Sequence, residues 1–165
     1  GYTGVLLGDT AIPIWDATRR SLPPLFVASA AASAAALLEH MDITERERKI
    51  VRRFGLLGQA VEVGAMYRVE RDLEGTDRVG RPLQEGLSGS LWRAARRAAI
   101  GGLILGARPR GSKTRRMAAG GLGSMASLAL RFALFHAGKV SSRDPRATFE
   151  QQRARMDGPR EVGGT

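Results

Sequence analysis

Cysteine is absent from all 165 residues. That excludes disulfides, thiolate metal sites and iron–sulfur clusters bound by the chain itself. Aromatic residues make up only 5%, and none interleave with the densest basic run, Arg108–Arg116, as a nucleic-acid stacking platform requires. The longest apolar stretch, Leu22–Leu38, holds seventeen residues, or about 25 Å of helix against a hydrocarbon core of about 30 Å. No charged region precedes the opening GYTGVLLG, so it does not read as a signal peptide. It reads as the end of a helix whose start has been removed.

What is present points two ways. Net charge is +10 and hydrophobic residues reach 43%, with pI about 11.4 and mean hydropathy −0.18. A basic soluble protein fits these values. A membrane protein fits only if the charges are segregated from the apolar segments, so position decides.

The charges are segregated. Leu22–Met41 carries no charge through Leu38, has Pro23 and Pro24 where a first helical turn tolerates them, and repeats Ala28, Ser29, Ala32, Ser33 and Ala36 at close-packing spacing. A charged connection follows at 42–53, in which Thr44 and Glu47 have the spacing of a capping box. Phe54–Tyr67 is the next apolar stretch, short for a span unless Arg52, Arg53 and Arg68 snorkel. Val69–Ser90 is rich in Gly and charge and predicts a loop. Leu91–Ala107 predicts a helix that crosses or re-enters. Met117–Gly138 predicts a membrane helix broken only by Arg131 and His136.

The pattern predicts an all-α, polytopic transmembrane bundle of about four helices, plus the end of a truncated preceding one. Residues 1–138 form the membrane part and 139–165 a polar tail expected to be disordered. The short loops 42–53 and 108–116 each carry five basic residues, which under the positive-inside rule favours the cytoplasm for them, but the opposite side carries more in total, spread over long segments, so the orientation stays open.

Two charges interrupt apolar helices: Glu62 and Arg131. A charge at a helix centre costs at least ~2.5–3.5 kcal/mol on insertion scales, so it usually faces the bundle and finds a partner. Glu62 and Arg131 are therefore candidates for a buried ion pair or a shared proton path. The plainer reading puts Glu62 near the interface and lets Arg131 snorkel. His136 titrates in the range a relay needs, or caps a helix end. Asp9 opens a proton entrance or caps a turn, and Trp15 reads as an interfacial aromatic. Arg108, Arg110, Lys113, Arg115 and Arg116 suit anionic lipid head groups or an acidic partner face. Glu39 and His40 mark a membrane boundary; two histidines on separate helix ends make no metal site. No phosphate-binding glycine fingerprint and no catalytic triad can be argued.

Three stretches carry a family resemblance: YTGVLLGDTAIPIW at Tyr2–Trp15, LPPLFVASAAASAAALL at Leu22–Leu38, and RFALFHAGKVSSRDPRATFEQQR at Arg131–Arg153. In order and spacing they resemble the latter half of the NrfD-like membrane subunits of polysulfide-reductase-type complexes. The resemblance implies a multi-pass subunit of the bacterial inner membrane. It would anchor a ferredoxin-like 4Fe-4S subunit, and in some complexes a molybdopterin catalytic subunit. It would exchange electrons with menaquinone or ubiquinone as an exchangeable substrate, with no tightly bound cofactor of its own and possible proton conduction. The family's quinone pocket lies mainly in an earlier bundle, so no quinone ligand is carried over. Two other classes compete: a non-redox transporter or anchor fragment, and a soluble helical nucleic-acid binder.

Overall fold

The computed structural model describes Tyr2, Val5, Leu6 and residues 12–74, 77–108 and 112–143. All regular structure among them is helical: α1 (Pro13–Ala17), α2 (Leu22–Leu38), α3 (Glu45–Asp72), α4 (Asp77–Gln84), α5 (Gly86–Ala107) and α6 (Lys113–Ser141). The all-α expectation holds. Among the described residues one helix is long and apolar enough to cross a membrane, through Thr114–Ser141 at mean hydropathy 1.4; Leu22–Leu38 is apolar but shorter.

Local chemistry sets the boundaries. α2 begins with proline in its first positions, where the missing N–H leaves no bond unmade. α3 begins at the expected capping box. The Glu47 N–H donates to Thr44 Oγ1 at 3.4 Å, and the Thr44 N–H donates to Glu47 Oε2 at 2.8 Å. The Thr44 hydroxyl, which donates to Glu47 Oε2 at 2.7 Å, and then the Thr44 N–H hold the exposed Glu47 carboxyl below its ordinary range.

The predicted loop Val69–Ser90 is corrected. α3 runs on to Asp72, α4 occupies Asp77–Gln84, and α5 starts at Gly86. Val69, Leu73, Val79 and Leu83 are buried. Their four-residue steps within each helix put them on one face, which the surrounding charges hide from a reading by composition. α6 is also longer than Met117–Gly138, and the polar tail begins later. Ser141 is buried and its Oγ accepts the Ile14 N–H at 3.3 Å. Residues 144–165 lie outside the described set.

Trp15 is half-buried against α6. Its indole N–H donates to the Leu134 carbonyl at 3.2 Å, and its ring lies flush on Gly138, where any Cβ would enter the ring. α1 is thereby clamped to the C-terminal end of α6.

The four long helices form a closed ring: α2 on α3, α3 on α5, α5 on α6, and α6 back on α2. Their contacts run in opposite directions, Ala35 meeting Gly55 while Ala32 meets Gly58, and Ala36 meeting Gly120 while Ser29 meets Ser127. Neighbours are therefore antiparallel. Close approach is built in at Gly58, where a Cβ would lie 2.9 Å from the Ala32 backbone nitrogen.

Leu22, Leu25, Phe26, Met66, Trp92, Leu130 and Leu134 are buried and Arg93 and Arg97 of α5 are exposed, but the outer faces of α3 and α6 carry large apolar side chains while small and polar ones line the rest of the interior. Ala28, Ala32, Ala35, Ala99, Ala126, Ser29, Ser127, Gln59 and Glu62 are buried, whereas Val27, Phe54, Leu57, Val61, Leu128, Phe132 and Phe135 are exposed. On α3 the exposed residues Ile50, Phe54, Leu57 and Val61 follow helical spacing on one face, and Gly58, Gln59, Glu62, Ala65 and Met66 line the other.

Candidate functional site

The interior changes character along its length. At the end made by the α2 N-terminus and α3 C-terminus, Leu22, Leu25, Phe26, Met66, Val69, Trp92, Leu130 and Leu134 form one apolar cluster. Toward the other end, alanine and glycine replace them. Glu62 sits where the two materials meet.

Glu62 is 1% exposed, and neither carboxylate oxygen has a hydrogen-bond partner. Ser29 on α2 faces it, but the Ser29 hydroxyl is engaged with Ser127 Oγ on α6 at 2.8 Å. This serine pair joins two helices beside the carboxylate of a third. A buried, unpartnered carboxylate is costly to keep charged. Such a group belongs to proton or cation chemistry more readily than to fold support.

Arg131 does not complete the ion pair. Its side chain is exposed, no ion pair joins it to Glu62, and its charge reaches the carboxylate only through space. Four residues carry α6 slightly past a full turn from Ser127, which rotates Arg131 off the interior face. Arg131 therefore lies on the outer face of α6. For Glu62 the structure gives neither interface placement nor pairing.

His136 is half-buried and meets the edge of Phe135 at 5.7 Å between centroids. It lies on α6 beyond Leu130 and Leu134, whose apolar cluster stands between it and the Glu62 level. Asp9 lies outside the described residues, as does Arg110, and of Lys113 only the backbone is described. Arg108 is exposed, while Arg115 and Arg116 are half-buried at the start of α6.

Three features escaped the sequence reading. The first is Gln59, one turn from Glu62 and buried. It faces Gly102 and Gly123 across α5 and α6, where added Cβ atoms would lie 3.1 and 2.8 Å from its Nε2. The second is a pair of clefts at that end. A narrow one of about 40 Å³ reaches Gln59 between Ala36, Gly55, Gly106 and Gly120. An outer one of about 450 Å³ is lined by His40, Asp42, Arg48 and Met117. Glu39 and Arg116 border both. The His40 Nδ1 lies 2.7 Å from the Ala36 carbonyl, which ties that ring to the end of α2.

The third is a cluster at the opposite end. Glu70 accepts the Trp92 indole N–H at 2.7 Å and Arg96 Nη1 at 2.6 and 2.7 Å on its two oxygens. The Arg96 guanidinium lies 5.9 Å from the Tyr67 ring centroid. A cleft of about 300 Å³ opens beside it. Tyr67 with Glu70, and Trp92 with Arg96, have the spacing of one helix face in the sequence. Assigning Glu70 to a loop concealed it.

Compared with protein-family models, curated proteins and solved structures, the chain matches none.

Proposed function

We propose that this chain is the membrane-embedded part of a helical subunit of a quinone-linked respiratory oxidoreductase. It anchors an iron–sulfur subunit and contributes a protonatable carboxyl to the bundle.

The membrane part of the reading is carried by the large apolar side chains on the outer faces of α3 and α6 and by the polar Gln59 and Glu62 inside. Water-soluble bundles bury their Leu, Val and Phe and expose charge. Here Leu22, Leu25, Phe26, Val69, Leu130 and Leu134 are buried, yet Phe54, Leu57, Val61, Leu128, Phe132 and Phe135 point outward, and Gln59 and Glu62 point inward among Ala, Gly and Ser. In lipid there is no gain from burying Leu against Leu, and small residues at the interfaces let helices approach. Only 44% of the apolar stretch of α6 is buried inside the bundle, whereas the core helix of a soluble protein is mostly buried. α3 spans as Phe54–Tyr67 flanked by arginines that snorkel.

The redox part rests on the resemblance of Tyr2–Trp15, Leu22–Leu38 and Arg131–Arg153 to NrfD-like subunits. In such an assembly the electron chemistry belongs to the quinone and to cofactors on partner chains. No residue of this chain is assigned to the quinone. The basic residues at the start of α6 suit lipid phosphates at the membrane surface.

Purification of the native assembly from membranes tests the reading. The expected result is co-purification with a cysteine-rich 4Fe-4S subunit, and quinol-dependent reduction of its clusters that is lost when this chain is deleted. Extraction by alkaline carbonate without detergent rejects the membrane part. Unchanged quinol oxidation in the deletion strain rejects the redox part and leaves a transporter or anchor.

A further inference from the structure

The interior of the bundle is asymmetric about Glu62, and that asymmetry has a direction. On one side the cleft of about 40 Å³ reaches Gln59. A water needs only about 10–15 Å³ of such volume, so the cleft is roomy enough for several. It borders the outer cavity of about 450 Å³ through Glu39 and Arg116. Gln59 is three residues before Glu62 on the same face of α3, and its amide both donates and accepts. On the other side the next inward positions of α3 are Ala65, Met66 and Val69. They pack in one cluster with Leu22, Leu25, Phe26, Leu130 and Leu134. Leu22, Leu25 and Val69 are fully buried, and side chains of this kind leave no route for water.

We propose that Glu62 is a proton-binding site with access from one side only, through the cleft at the α2 C-terminal and α6 N-terminal end, with Gln59 as the last polar step. Protons enter from the outer cavity and pass Gln59 by way of water. They arrive at a carboxylate whose two oxygens make no hydrogen bond among the described residues and whose nearest polar neighbour is the Ser29 hydroxyl. The polar neighbours on the packed elements are Ser29 from α2 and Arg131 from α6. Ser127 binds Ser29, and α5 presents only alanine and glycine among its buried residues at and above this level. The apolar cluster prevents a proton on Glu62 from leaving by the opposite end. The inference rests on the membrane part of the reading above. It requires nothing of the redox part.

Two measurements on the whole assembly in native membrane vesicles test it. Dicyclohexylcarbodiimide adds to a protonated carboxyl in an apolar setting, with the acid proton taken up by a carbodiimide nitrogen and no group leaving. The expected result is an adduct on Glu62, found by mass spectrometry and absent in Glu62→Gln. Because the chain has no cysteine, single cysteines report water access directly. Gln59→Cys, or Ala36→Cys should the first fail to assemble, should react with a membrane-impermeant methanethiosulfonate from one face of the membrane. The rate should be at least about tenfold above that of Leu134→Cys, since attack needs a hydrated thiolate. No adduct on Glu62, or equal rates at the cleft and cluster cysteines, overturns the proposal while the membrane reading stands. Carbonate extraction of the unmodified chain removes the membrane reading itself.

Discussion

The two ends of the bundle interior are made of different materials by the same four helices. Around Leu25, Met66, Trp92 and Leu134, large side chains fill the space between backbones. Around Ala32, Gly58, Gly102 and Gly123, the backbones themselves approach: an added Cβ would lie 2.9 Å from Ala32 N at Gly58, and 3.3 Å from Ala119 O and 3.5 Å from Gly123 N at Gly102. Large residues interdigitate and exclude water. Small ones give close contact where they meet and narrow clefts where they do not. One helical ring thus carries an end whose interior is filled by large side chains, with the Glu70 cleft on its flank, and an end of close backbones and narrow clefts, with the buried carboxylate at the junction.

The largest effect expected from breaking this contrast is at the filled end. Leu134→Ala, at a residue 2% exposed, should cost roughly 2–5 kcal/mol, the usual range for emptying a packed site. Denaturation in detergent measures it, and a loss below about 1 kcal/mol would mean that the cluster is loosely packed. At the end of close backbones addition is the harmful change. Gly58→Ala places a Cβ against the α2 backbone, 2.9 Å from Ala32 N and 3.3 Å from Ala28 O. Backbone cannot step aside, so a loss of about 1–3 kcal/mol is expected from overpacking. A fully tolerated alanine would show that α2 and α3 can part at no cost.

A smaller effect is expected at the Glu70 cluster. Glu70→Gln weakens the acceptor shared by Arg96 and Trp92. The pair is about a third exposed, so solvent screening holds the loss to about 1 kcal/mol or less. A double-mutant cycle with Arg96→Met isolates the pair. The smallest effect is at the start of α3. Thr44→Val removes the hydroxyl of the cap and should lower the hydrogen-exchange protection of the first turn. That turn should also weaken in acid. The Glu47 carboxyl is held below its ordinary value of 4.5 by Thr44. Its contribution is therefore complete above that value and is lost as pH falls through the lower folded one. Protection of the first turn that does not change between neutral and acidic pH would show that the cap contributes nothing.

The same contrast accounts for what the sequence made legible. The start of α2 reads correctly because proline opens it, while its end falls at Leu38, where the uncharged run stops, three residues short of the expected Met41. The cap of α3 is legible because Thr44 and Glu47 act locally. Glu62 stands out as a charge in an apolar stretch, and its burial agrees with that. Its supposed partner does not, because whether Arg131 faces inward depends on the small rotation between one turn of α6 and the next. The segment 69–90 was misread for a related reason. Its buried Val69, Leu73, Val79 and Leu83 are spaced for packing, but glycine and charge dominate its composition. Gln59 and the clefts were beyond any reading of one segment, since three helices must meet to create them.

Underlying all of this is the claim that the apolar outer face is turned to lipid. Nitroxide labels on single cysteines at Val61, Leu128 and Phe135 test it most directly, in a chain with no native cysteine to remove. In native membranes the account predicts high accessibility to molecular oxygen and low accessibility to a water-soluble nickel chelate at all three positions. Ready access of the nickel chelate to these labels would contradict it.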